Sequence, residues 1–314
     1  MGRLDFRFWV APAGFTVKVG PEERPVVFPD LPLPLKRQIL TGEAPSVDAI
    51  GSSIYDYLRQ FPDCPNNRQY AELLRDVWPH YLADLGAMAL MLDHKEVDPP
   101  YVKRKINALK ILALLEPGNA GLHQQIGMAC FHLALNYQEM SSSRQHLQQA
   151  LKHLHLALEH RPGDPASLNL LGQTDFLLGD YPAAVRSWRQ LHDRLPPSPA
   201  REALAARLER VNQAGMPDHA LVEELEAVGQ ALELCGEERF AEARSLLDQL
   251  EEQGELPREL PAAEFYYLLG ICRERTAEPA GAFDAFRKAL ELDAAYQPAR
   301  DGIERIQGGE SDKV

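Results

Sequence analysis

Three histidines, His146, His153 and His160, recur every seven residues on one expected helix, with His155 beside them. Imidazoles that share a metal on a helix stand three or four residues apart, because seven residues rise about 10.5 Å. A single ion therefore cannot join this set, and it reads as a solvated or interfacial face with scope for a pH-sensitive contact. The four cysteines, Cys64, Cys130, Cys235 and Cys272, are far apart along the chain and form no CxxC pair. That spacing argues against a metal knuckle or a redox dithiol. No glycine-rich phosphate loop, GxSxG elbow or HExxH helix occurs. The expectation is a chain without catalytic residues, metal or cofactor.

Acidic groups are abundant. Between Pro217 and Leu260 there are 13 acidic residues against 3 basic ones, and the whole chain carries a net charge of −13. Without an apolar pocket to shift a carboxylate, such helix faces are solvated rather than catalytic. Non-specific nucleic-acid binding needs a basic footprint, so DNA and RNA are poor candidates for a partner. At 314 residues, 45% hydrophobic and 25% charged, the chain can bury substantial cores. The opening stretch has no long apolar core after its charge, and no apolar run approaches the ~20 residues of a membrane span. The expected setting is the cytoplasm, without membrane insertion.

What must position any functional residue is a periodic framework. Aliphatic-glycine pairs occur at Leu85-Gly86, Ile126-Gly127, Leu171-Gly172, Val228-Gly229 and Leu269-Gly270, with the glycines 41, 45, 57 and 41 residues apart. Each lies in a segment with apolar residues three and four apart, the pattern of an amphipathic helix. A glycine costs about 1 kcal/mol in a helix interior relative to alanine. Its recurrence at one place in the pattern suggests close approach of packed helices, with Ala184 and Ala282 opposite Gly172 and Gly270. Partner helices follow at 101–115, 144–158, 182–195, 240–250 and 280–292.

The segment from Pro165 to Pro196 resembles a tetratricopeptide repeat, through Leu168, Leu171, Gly172, Gly179, Tyr181, Ala184, Trp188 and Pro196, with Leu191 replacing the second alanine. The segment ending near Ala294 resembles it through Tyr266, Leu269, Gly270, Ala282, Phe286 and Ala289. Three other repeats are degenerate. The one around Gly127 has 11 extra residues near "EMSSSR", and the one around Gly229 has Ser245 or Leu247 where an aromatic is usual. The resemblance covers about residues 79–306. It implies a mainly α fold, an α-α superhelical solenoid of helix pairs.

The N-terminus differs. Leu4 to Val10 and Phe15 to Val19 alternate apolar and polar residues around "PAG", which reads as a β-hairpin, with a third strand available in "RPVVFPDLPLPL". The expected organisation is an N-terminal module at 1–78 that caps the array and repeats one to three at 79–196. An intervening helix or linker follows at 197–217, then repeats four and five with a capping helix at 218–306, and a disordered tail at 307–314.

In the family, the first helix of each repeat lines a concave groove that binds partner peptides. Carried over by position, Ala83, Ala87, Gln124, Met128, Phe131, Asn169, Gln173 and Phe176 form a mixed apolar and amide surface. Glu223, Glu226, Glu233, Glu264, Tyr267 and Glu274 form an acidic one. The family's co-chaperone members clamp acidic tails with Lys, Asn and Arg, whereas these positions hold Ala, Gln, Met and Leu, so that role is not expected. The resemblance implies a non-enzymatic adaptor or scaffold that recruits another protein through segments both apolar and basic. An enzyme with its site in the N-terminal module, or a self-assembling structural protein, remains the alternative.

Overall fold

A computed structural model describes residues 5–39, 45–92, 98–213 and 217–311. The chain divides into two compact units, one of residues 1–129 and 156–162, the other of 130–155 and 163–314.

The first unit begins with strands β1 (Phe6–Val10), β2 (Thr16–Val19), β3 (Arg24–Val27) and β4 (Pro32–Lys36). The expected hairpin of the first two strands does not form. β1 pairs antiparallel with β4, Phe8 opposite Pro34, and encloses a β2–β3 hairpin in which Val17 faces Val26. The reason lies in β4, whose Leu33 and Leu35 are fully buried against helix α1 (Val47–Gln60). Pro32 and Pro34 have no N–H to donate, which suits a strand with a single ladder partner. Lys36 ties the sheet to α1 by an ion pair with Asp56, and the Tyr70 hydroxyl of α2 (Asn67–Val77) donates to the Pro32 carbonyl at 2.5 Å.

Helices α3 (Pro79–Leu92) and α4 (Pro99–Leu115) were expected in repeat one. Their Leu85, Ala108 and Ile111 share one core with Leu33, Ile54 and Trp78 of the preceding segment. Gly86 of α3 makes no close approach, since nothing lies within 4 Å of where its Cβ would stand. The close approach is made instead by Gly51 of α1, whose Cβ would overlap the Trp78 indole.

Helices α5 (Ala120–Ala134) and α6 (Ser143–His160) each contribute to both units. The second unit continues through α7 (Pro165–Leu178), α8 (Tyr181–His192), α9 (Pro199–Gln213), α10 (Leu221–Gly236), α11 (Phe240–Gln253), the short α12 (Leu256–Glu259), α13 (Ala263–Arg275), α14 (Pro279–Leu292) and α15 (Gln297–Ser311). The chemistry at the ends of α7 is local. Asp164 accepts from the Ser167 N–H ahead of Pro165, and Gly179 closes the helix at φ +85°.

Two helix pairs carry the tetratricopeptide-like packing. Gly172 of α7 lies under the fully buried Trp188 of α8, and Gly270 of α13 under the fully buried Phe286 of α14. It is these aromatics, rather than Ala184 and Ala282, that occupy the space a Cβ would need. Phe286 is also met by Gly302 of α15 on another side. α15 extends to Ser311, so 307–311 is helical where a disordered tail was expected, and 312–314 lie outside the described residues.

The degenerate repeats depart from the pattern. The extra residues before α6 form a 3-10 helix, Tyr137–Ser142. A Cβ at Gly229 of α10 would overlap the backbone of Met140 and Ser141 in that helix. In α11 the position that an aromatic fills in α8 and α14 holds Ser245, and the inserted 3-10 helix docks on Gly229 instead.

Candidate functional site

Three inserted elements of the second unit pack on its repeat helices, and together they shape two clefts. The first insertion, Tyr137–Ser142, continues into α6, where the Arg144 backbone N–H donates to Glu226 Oε1 at 3.2 Å. The Arg144 guanidinium stands 3.5 Å from Glu226 and 3.6 Å from Glu223. These two carboxylates were expected to await a basic ligand, and they are engaged by the chain's own arginine. Tyr137 sits close to Glu264 and Tyr296. Burial, with the Glu264 charge second, pushes its hydroxyl well above the ordinary tyrosine range.

The second insertion is α12. Glu224 of α10 is 3% exposed and accepts from the backbone N–H of Glu255 at 2.9 Å and of Leu256 at 2.8 Å. His219 Nε2 lies 2.5 Å from the same carboxylate. A buried carboxylate is tolerated when its oxygens meet donors of this kind, and here it anchors the segment that separates the clefts.

The third insertion is α9, which falls in the expected intervening helix or linker at 197–217. It lies across α7 and α8. The Arg207 guanidinium stands 4.2 Å from the Trp188 ring centroid and 5.5 Å from that of Phe176, within range of a cation–π attraction. Neighbouring Arg210 pairs with Glu259 at 2.9 Å, whereas Arg207 forms no ion pair among the described residues, and its Nε has no hydrogen-bond partner. Burial draws the guanidinium below its ordinary value, opposed by the Glu259 charge, yet arginine stays cationic at neutral pH.

Phe131, Gln173, Phe176, Ala206, Arg207 and Leu260 line a cleft of about 450 Å³. A second, more apolar cleft of about 300 Å³ is walled by Tyr137, Met140, Leu225, Val228 and Phe265, and the two share Glu259 and Leu260. The structure thus brings Phe131, Gln173 and Phe176 together, as members of one cleft. Phe131 and Phe176 are only 6% and 3% exposed, so they form its floor rather than a free surface.

The remaining groove positions do not join them. Ala83 and Ala87 are exposed and Gln124 and Met128 half-buried, all in the first unit. Asn169 is half-buried outside the cleft lining, and Glu233 and Glu264 are exposed. Tyr267 packs its ring on Phe286 and Tyr296, and Glu274 pairs with Arg305 at 2.9 Å. Arg207 and Tyr137 escaped the sequence reading because they lie on insertions rather than on repeat helices.

The four histidines do not share one environment, and His155 is exposed. His153 is 8% exposed, and His146 Nε2 lies 3.2 Å from Glu139. His160 is exposed, with its ring centroid 6.5 Å from that of His123. Among the described residues no group of three or more histidine, cysteine or acidic side chains converges as a metal set. Nor is any helix among them long and apolar enough to cross a membrane. The cysteines contradict their spacing: Cys235 and Cys272 place their sulfurs 3.2 Å apart.

Among solved structures the chain is similar to the TPR domain of P58(IPK), at 13% identity over 85% of this chain and 75% of that one, with a TM-score of 0.34. It is also similar to a tetratricopeptide repeat protein from Parabacteroides merdae ATCC 43184, at 16% identity over 72% of this chain and 98% of that one, with a TM-score of 0.26. No protein-family model and no curated protein matches the chain.

Proposed function

We propose that this chain is a non-enzymatic protein-binding scaffold whose second unit holds an apolar partner segment bearing a carboxylate. The observation that carries this reading is the cleft of about 450 Å³ floored by Phe131 and Phe176, on whose wall Arg207, without an ion pair among the described residues, stands over Phe176 and the buried Trp188 ring. Burying a large apolar side chain there contributes roughly 1.5–3 kcal/mol. A guanidinium already stripped of much of its water favours a planar carboxylate through charge-assisted hydrogen bonds. The partner chemistry differs from the basic segment expected from sequence, since Arg144 already answers Glu223 and Glu226.

The test is selection of peptides from a random display library, followed by calorimetry on two variants. Ala206 is exposed on the cleft wall, so Ala206→Trp obstructs the cleft without disturbing the core. Selected peptides are expected to be apolar with an acidic or C-terminal carboxylate. They should lose at least tenfold in affinity for Ala206→Trp and for Arg207→Gln. Peptides that bind both variants like the parent chain overturn the reading.

A further inference from the structure

Cys235 and Cys272 lie at the C-terminal ends of α10 and α13, 37 residues apart in sequence, with their sulfurs at 3.2 Å. Cys235 is half-buried, whereas Cys272 is fully buried. The two differ in chemistry because one sulfur serves the other. The hydrogen bond from the Cys272 S–H holds the Cys235 thiol below its ordinary value against the opposing effect of burial. The same contact, with burial second and the Asp248 charge further behind, pushes Cys272 far up. Nucleophilic attack needs thiolate character and access, and of the two Cys235 is the less buried and the one whose thiol is drawn down. The other thiols are placed differently. Cys64 belongs to the first unit and burial raises it, and Cys130 is 1% exposed.

We propose that Cys235 and Cys272 are a redox modification site at which a peroxide converts two thiols into a disulfide that staples α10 to α13. The Cys235 thiolate attacks one oxygen of hydrogen peroxide and the O–O bond breaks. This leaves Cys235 as a sulfenic acid, and the released hydroxide takes up a proton to become water. The Cys272 sulfur then attacks the Cys235 sulfur. The S–S bond forms, the S–O bond breaks, and the departing hydroxide leaves as water with the Cys272 proton. Two electrons pass from the thiols to the peroxide, which ends as two waters. Bond formation requires the sulfurs to close by about 1.2 Å, to the usual 2.05 Å. A dithiol reductant reverses the reaction by thiol–disulfide exchange.

The staple joins helices that already carry the clefts. α10 holds the Tyr137–Ser142 insertion at Gly229 and α12 at Glu224, and α13 supplies Phe265 to the second cleft. Oxidation therefore ties together two walls of one binding region, independently of what that region binds.

The full chain, reduced and then treated with a small excess of hydrogen peroxide, is alkylated, digested and analysed by mass spectrometry. The expected product is a cross-linked peptide pair containing Cys235 and Cys272, with an intact mass about 2 Da lower and Cys64 and Cys130 still alkylated. The stapled chain should melt about 5 °C or more above the reduced one, because the cross-link restricts the unfolded chain. In Cys272→Ala, a sulfenic acid trapped by dimedone should accumulate at Cys235. In Cys235→Ala, Cys272 should stay reduced. Full alkylation of both residues after peroxide, or oxidation of Cys235 to the sulfinic acid without a cross-link, overturns the proposal. So does a cross-link that lowers the melting temperature.

Discussion

Gly229 of α10 lies directly against the backbone of Ser141, in a segment nearly ninety residues earlier, and leaves no room for a side chain between them. In an open helix a glycine-to-alanine change gains about 1 kcal/mol. At Gly229 the added methyl has to displace backbone, at a cost of roughly 1–3 kcal/mol. Gly86 provides the contrast, since nothing stands within 4 Å of its missing Cβ. Urea denaturation should show Gly229→Ala less stable than the parent chain and Gly86→Ala equal or more stable. Equal effects at the two positions would mean that Tyr137–Ser142 does not dock on α10.

Glu224 answers two backbone N–H groups of the 255–256 turn with one buried carboxylate. Glu224→Ala leaves both donors unsatisfied and should cost about 2–4 kcal/mol. Glu224→Gln retains one acceptor and should cost less. Limited proteolysis is the direct readout. Cleavage near 254–262 should speed up in the order parent, Gln, Ala.

Asp175 is 5% exposed on α7, and burial followed by repulsion from Asp180 pushes its carboxyl up to about 7, against a lowering by Arg186. An unfolded aspartate titrates near 3.9. Between these values the folded chain holds a proton that the unfolded chain lacks, so this group makes stability fall as pH rises from about 4 to about 7. Asp175→Asn removes that dependence. The variant should gain on the parent by roughly 1–3 kcal/mol at pH 8 and by little or nothing at pH 4. Denaturation curves at pH 4, 6 and 8 check this, and a pH-independent difference would refute it.

The N-terminal strands belong to the core of the first unit, through the fully buried Leu33 and Leu35. Leu35→Ala should cost about 2–5 kcal/mol. Deletion of residues 5–36 should abolish the cooperative transition of the first unit while leaving that of the second. Differential scanning calorimetry distinguishes this from a dispensable tail, for which the deletion would change neither.

Which features were legible in sequence follows from how far their causes reach. The pairs α7–α8 and α13–α14 could be read because glycine, an aromatic sixteen residues on and, for α7, the Pro165 and Gly179 signals all act within one helical hairpin. Capping, helix propensity and the 3.6-residue period are short-range physics, and a linear pattern records them faithfully. The existence of strands before α1 was legible for the same reason, in the alternation of side chains. Their pairing was not, because β1 meets β4 through the burial of Leu33 and Leu35 against a helix that follows them. Similarly, Arg144 finds Glu226 across 82 residues and Cys235 finds Cys272 across 37. Arg207 meets Trp188 through the face that α9 turns to its neighbours. None of these contacts has a period. The arginine contacts depend on where an insertion comes to rest, and the cysteine contact on how α10 packs against α13, and only the tertiary structure decides either.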